Sequence, residues 1–264
     1  MNLLTCILTE NGCYKANRTI TPKGVMVHST GADNPNIKRY VQPVDSTPDR
    51  EELLRLLGVN ANGNDWNHTD REACVHAFIG KLADGSVASC QTLPWNWRGW
   101  HAGTGTSGQS ANDTHISFEI CEDGLTDPDY FSRVYREAVE LTAYLCGQYA
   151  LDPLADGVVI CHQEGYRRGV ASNHSDVLNW FPKMGRSMDD FRSDVAAELA
   201  QKSEPEEEDG MNYYQTLNEV PEFYRPTVEK LVEAGALNGT GSGLNVSEDF
   251  CRIMTVLDRL GKLD

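Results

Sequence analysis

The chain has 264 residues and is 40% hydrophobic, enough for one well-cored domain and a smaller second one. Its 39 acidic against 23 basic residues leave a net charge of −16, which argues against a nucleic-acid binder, because phosphate tracking needs clustered Lys and Arg. No stretch reaches the ~18 apolar residues of a membrane span. The first twenty residues lack a basic n-region and a small-residue cleavage site, so accumulation in the cytoplasm of the producing cell is expected.

In chain order, residues 24–30 form an apolar run between Pro22 and Gly31 that reads as a buried strand ending in polar side chains. Residues 58–65 carry Asn and Gly and mark a loop. Strands are predicted at 75–81, at 86–92 after the Asp84-Gly85 turn, and at 115–121. Pro128 suits the first turn of a helix running to about Tyr149, with Phe131, Val134, Ala138, Leu141 and Leu145 on one face. A short strand at 157–161, an irregular stretch and a helix from Met188 to about Ala200, capped by Ser187, complete an α/β pattern.

The segment 201–210 is acidic, contains Pro205 and Gly210, and offers nothing apolar to a core, so it reads as a linker between residues 1–200 and 211–264. In the second part, Pro226 opens a helix carrying Val228, Leu231 and Val232 that stops at Gly235. Ser247 caps another, with Phe250, Ile253, Met254 and Leu257 on one face, that stops at Gly261. This small all-α module has a thin core and is expected to need docking or self-association.

The eight cysteines are scattered without C-x-x-C pairs, which in a cytoplasmic chain reads as reduced, largely buried thiols. Cys161 is expected to point away from the neighbouring His162. Among the seven histidines, His28 closes one strand, His162 follows another, and His174 and Asp176 stand two apart in a loop. A catalytic zinc takes three protein ligands and leaves a fourth position for water, and His28, His162 and Asp176 would supply such a set. Spacing alone leaves open whether they ligate or are ordinary hydrogen-bonded residues.

Five motifs in order carry a resemblance: Val27-His28-Ser29-Thr30, Trp100-His101-Ala102-Gly103, Ile116-Ser117-Phe118-Glu119-Ile120, Ile160-Cys161-His162 and Asn173-His174-Ser175-Asp176. Over about residues 20–195 the chain resembles the type-2 N-acetylmuramoyl-L-alanine amidases, the family of the phage lysozyme-type amidases and the peptidoglycan recognition proteins. The resemblance implies a central mixed β-sheet flanked by helices and a Zn2+ on His28, His162 and Asp176. It also implies hydrolysis of the bond between N-acetylmuramic acid and L-alanine in peptidoglycan, as in a phage-type endolysin. It makes Glu119 the general base and puts His174, where many relatives have Lys, at the oxyanion.

Trp100, His101 and Asn96 are expected to line the substrate groove. Trp97 reads equally as groove or core. His68, His76 and His115 read as structural. The alternative is a non-catalytic peptidoglycan receptor on the same fold, which would dispense with a metal ligand.

Residues 234–239, 244–247 and 251–252 resemble one unit of a surface-layer-homology wall-binding module. Two uses follow: targeting to the wall, or pairing with a second copy as a homodimer. Met211, after Glu207-Glu208-Asp209-Gly210, is also a candidate start for a short second product.

Overall fold

The structure, a computed structural model, describes residues 1–203, 212–239 and 243–263. The chain divides into two compact units, Met1–Gln201 and Lys202–Asp264. Of the predicted linker, residues 201–203 continue the last helix of the first unit. Its remainder and the candidate start at Met211 lie outside the described residues.

The first unit runs β1 (Leu3–Thr5), α1 (Gly12–Ala16), β2 (Gly24–Asp33), α2 (Arg50–Leu57), β3 (Ala77–Lys81), β4 (Val87–Gln91), β5 (His115–Glu122), α3 (Pro128–Tyr149), β6 (Val159–Cys161), α4 (His162–Arg167) and α5 (Met188–Ser203). Its six strands form one sheet in the order β1-β4-β3-β5-β2-β6. Only β3 and β4, joined by the Asp84-Gly85 turn, are antiparallel, so the sheet is mixed and flanked by helices, as expected.

Side-chain alternation sorts the sheet into two faces. Val25 and Val27 of β2 and Ile116, Phe118 and Ile120 of β5 join the core under α3 and α5. All five apolar residues predicted for the inner stripe of α3 are buried there. The helix starts where Asp127 accepts from the Asp129 and Tyr130 amides, with Pro128 spending no amide in the first turn. On the opposite face, Phe78 and Cys121 pack with Leu53 and Leu57 of α2, while Met26 and Ile160 pack with Ala102, Ala111 and Ala171. On this same face the sheet presents His28 and Glu119, paired across β2 and β5.

Several boundaries differ from the sequence reading. The strand expected to end before Gly31 runs on to Asp33, because Gly31 takes φ +60 and lets the pairing with β5 break between Ser29 and Asp33 and then resume. His28 is therefore inside the strand. The third strand begins at Ala77, since Cys74 bridges to Trp100 and His76 bonds Ser117 and Trp97. The stretch after Cys161, read as irregular, opens with α4. Its start is fixed by Glu164, whose carboxylate accepts from the Cys161 amide at 3.0 Å.

The second unit contains the two predicted helices, α6 (Arg225–Glu233) and α7 (Glu248–Arg259). Ser247 caps α7 by accepting from the Phe250 amide at 3.2 Å. To these the structure adds a two-stranded antiparallel ribbon, β7 (Tyr213–Tyr214) with β8 (Val246–Ser247), so the module is not helical throughout. Its core is Val220, Tyr224, Val228, Val246 and Cys251. Ile253 and Val256 of α7 and Leu260 just after it are exposed.

No helix among the described residues is long and apolar enough to cross a membrane.

Candidate metal centre

Parallel pairing of β2 with β5 puts His28 directly beside Glu119. In register, paired residues project to the same face with strands ~4.8 Å apart. Phe118 and Ile120 turn into the α3 core, which sends the Glu119 carboxylate to the His28 side. At the end of β6 the same alternation buries Cys161 in that core, and His162, the first residue of α4, faces the site. Asp176, expected in a loop, opens a short 3-10 helix (Asp176–Asn179) with its backbone at φ 45, a left-handed conformation uncommon for a residue with a Cβ. Such strain is held only where surrounding structure fixes it, and it collects at functional sites.

Three donor atoms converge. His28 Nδ1 lies 2.8 Å from Asp176 Oδ2, His162 Nδ1 lies 3.1 Å from the same oxygen, and the two Nδ1 atoms are 3.1 Å apart. Zinc bonds of ~2.0–2.2 Å in tetrahedral array place ligand atoms about 3.3 Å from one another, so this triangle is close to one face of a zinc tetrahedron. Among the described residues it is the one group of three or more His, Cys, Asp or Glu arranged to hold a metal.

The protonation states suit ligation. Burial pushes the His28 imidazole below its usual pKa, outweighing the pull of Asp176, so the ring is neutral. For Asp176, burial would raise the carboxyl, but hydrogen bonds with His162 and His28 outweigh it and hold the group well below the carboxylate range. The donor set thus includes a neutral His28 ring and an anionic Asp176 carboxylate.

Outer partners orient both rings. If His28 Nδ1 is to ligate, its proton must sit on Nε2, where His101 Nδ1 accepts at 3.0 Å. Burial, then neighbouring rings, hold His101 well below its usual pKa, which keeps its ring neutral with one nitrogen able to accept. Its own Nε2 is buried without a partner. His162 Nε2 reaches Ser172 Oγ at 3.2 Å, and that hydroxyl can donate to the Ala102 carbonyl at 3.2 Å.

The Trp100–Gly103 turn is clamped by the side chain of Asn112. Its Oδ1 accepts from the His101 and Ala102 amides at 2.8 and 2.9 Å, and its Nδ2 donates to the Gly103 carbonyl at 3.0 Å. Gly103 is required here, because a Cβ would stand 2.8 Å from Ser172 Oγ. The sequence reading passed over Ser172 and Asn112; a lone Ser or Asn in a loop carries no periodic signal.

These side chains line a cavity of about 390 Å³ that also takes in Trp66, Trp100 and His174. Glu119 Oε2 is buried there with no hydrogen-bond partner. Burial first, then the charges of Asp176 and Glu122, push this carboxyl well above its usual range. His174 is exposed at the rim, its ring 4.8 Å from that of His162.

Asn96 and Trp97 do not line the cavity. Asn96 is exposed and gives its carbonyl to the Ile20 amide at 2.8 Å, and Trp97 packs on Tyr14 with ring centroids 4.9 Å apart. His68, His76 and His115 each have local partners: Asp65, the Trp97 carbonyl and the Gly157 carbonyl.

Comparison with known proteins adds a family. Residues 18–178 match the sequence profile of the family described as N-acetylmuramoyl-L-alanine amidase. No curated protein sequence gives a significant match. Similar solved structures include PlyL, at 18% identity over 74% of this chain and 96% of that one, with a TM-score of 0.48. They also include the Staphylococcus aureus hydrolase AmiA in complex with its ligand, at 19% over 76% and 85%, TM-score 0.48. A mutant endolysin from Bacillus subtilis stands at 18% over 74% and 99%, TM-score 0.47.

Proposed function

Because the chain belongs to the N-acetylmuramoyl-L-alanine amidase family, we propose that it hydrolyses the amide joining N-acetylmuramic acid to L-alanine in bacterial peptidoglycan, with zinc as cofactor. The observation that carries this reading is the convergence of His28 Nδ1, His162 Nδ1 and Asp176 Oδ2 within 3.1 Å of one another beside Glu119, whose Oε2 is buried without a hydrogen-bond partner. A zinc ion held by these three atoms would supply Lewis acidity, acidifying a water and polarising the scissile carbonyl. Retention of all three donors favours an enzyme over a peptidoglycan receptor on the same fold.

Glu119 takes the proton of the attacking water on its carboxylate and later gives it to the leaving alanine nitrogen. Its raised pKa suits that exchange, since a more basic carboxylate accepts more readily. His174, at the rim beside His162, offers a ring N–H to the oxyanion of the tetrahedral intermediate. His101 and Ser172 hold the two ligating rings in orientation, and Trp100 provides an aromatic wall for sugar or stem peptide.

Product chemistry tests the reaction. Digestion of purified peptidoglycan should create new L-alanine amino termini without new reducing sugar ends. New reducing ends instead would mean a glycosidase, and no products at all would favour the receptor.

In the cell this activity fits a phage-type endolysin, made in the producing cytoplasm and acting on the wall after release. Residues 1–200 would be the catalytic domain and 211–264 a wall-binding or dimerisation module. Deleting 201–264 should lower co-sedimentation with purified walls at an unchanged oligomeric state. Unchanged sedimentation together with loss of a dimer would assign the module to self-association.

A further inference from the structure

A second cavity, of about 410 Å³, shares Trp100 with the catalytic cavity and is lined also by Cys13, Arg18, Glu72 and Arg98. Cys13 sits in α1 and is half-buried, whereas the other seven cysteines are buried. Its thiol donates to the Glu72 carbonyl at 3.4 Å, which sets it beside the segment carrying Cys74, and the two thiols stand near enough for each to shift the other's titration. The segment bearing Cys74 is already fastened to the start of α1, because Asn11 Nδ2 donates to the Arg71 and Ala73 carbonyls at 3.1 Å each.

We propose that Cys13 and Cys74 are a redox pair, a modification site at which Cys13 attacks a low-molecular-weight disulfide and Cys74 closes the intramolecular bond. In the first step the Cys13 thiolate bonds to one sulfur of the oxidant, and its partner sulfur leaves as a thiolate. In the second, Cys74 loses its proton to solvent and bonds to the Cys13 sulfur, expelling the other half of the oxidant. Two protein thiols are oxidised to one disulfide and one small disulfide is reduced to two thiols.

The electrostatics assign the order. The hydrogen bond from Cys74 and the charges of Arg98 and Arg18 hold Cys13 below the usual thiol range against its burial. Burial instead pushes Cys6, Cys146 and Cys161 up to about 12. Cys74 is raised by its bond to Cys13 and by burial, so it resolves and does not initiate. The backbone of Cys74 exchanges two hydrogen bonds with Trp100, at 3.1 and 3.0 Å, so the disulfide would tie α1 to a wall of the catalytic cavity. A protein released from a reducing cytoplasm to the cell exterior would meet the oxidant there.

The test treats the folded, full-length chain with oxidised glutathione and follows it by intact mass and by peptide mapping without reductant. Wild type should lose two hydrogens and yield a linked peptide containing Cys13 and Cys74. Cys13→Ser should take up no glutathione and form no linked peptide. Cys74→Ala should instead accumulate a glutathione adduct at Cys13, and the oxidised wild type should unfold at a higher temperature than the reduced protein. Absence of the linked peptide from wild type, or an equal rate of modification in Cys13→Ser, would overturn the proposal.

Discussion

Glu119→Gln is expected to keep zinc at the level of the unmutated chain and to lose about 10²- to 10⁴-fold in kcat on peptidoglycan, the range for removing a general acid–base group. The substitution preserves side-chain volume and takes away only the ability to accept a proton. It also removes a carboxylate whose Oε2 is buried without a hydrogen-bond partner, so thermal stability should hold or rise. This combination separates a proton-transfer role from a structural one: a structural residue would lose stability with activity, and a ligand would lose zinc. In the same assay His174→Ala, which withdraws one exposed N–H donor, should lose about 10²-fold with zinc retained. Full activity in Glu119→Gln would leave the proton transfer without an agent.

Asp176→Ala is expected to abolish both zinc retention and hydrolysis. Asp176 is the only anionic donor of the three, and its Oδ2 is the atom shared by His28 at 2.8 Å and His162 at 3.1 Å. Without it, two imidazoles remain, below the three protein ligands of a catalytic zinc site. The variant should also lose the strained φ 45 conformation, since alanine gains nothing by staying there once the hydrogen bonds are gone. Metal analysis after gel filtration reads the first effect. Zinc retained at the level of the unmutated chain would remove Asp176 from the ligand set.

How much of this was legible in the sequence depends on how far apart the interacting residues lie. The stripe on α3, Pro128 in its first turn, the Asp84-Gly85 turn and the Ser247 cap of α7 are local patterns, and each appears where periodicity and turn chemistry place it. The facing of Glu119 followed from alternation along one strand, with Phe118 and Ile120 turned the other way. The pairing of His28 with Glu119 did not, because it depends on strand order and register between segments some ninety residues apart.

Convergence of His28, His162 and Asp176 was suggested by motif resemblance, whereas spacing alone left it undecided. Asn112 and Ser172 were invisible for a related reason: each acts through a hydrogen bond to a residue ten positions away, beyond any helix or strand period, and nothing in their neighbours marks them. The short elements β1, α1, α2 and α4 were missed because runs of three to eight residues offer little periodicity, although Leu53 and Leu57 in α2 stand one helical turn apart. The β7–β8 ribbon, two residues per strand, falls below any pattern threshold.

The measurement that bears most directly on the central claim is metal removal and restoration on the full chain. Protein stripped with a chelator should release no new alanine amino termini from purified peptidoglycan, and adding one equivalent of zinc should restore the rate in proportion to zinc bound at about one per chain. Hydrolysis that persists in stripped protein shown to be metal-free would contradict the assignment of His28, His162 and Asp176 as the ligands of a catalytic ion.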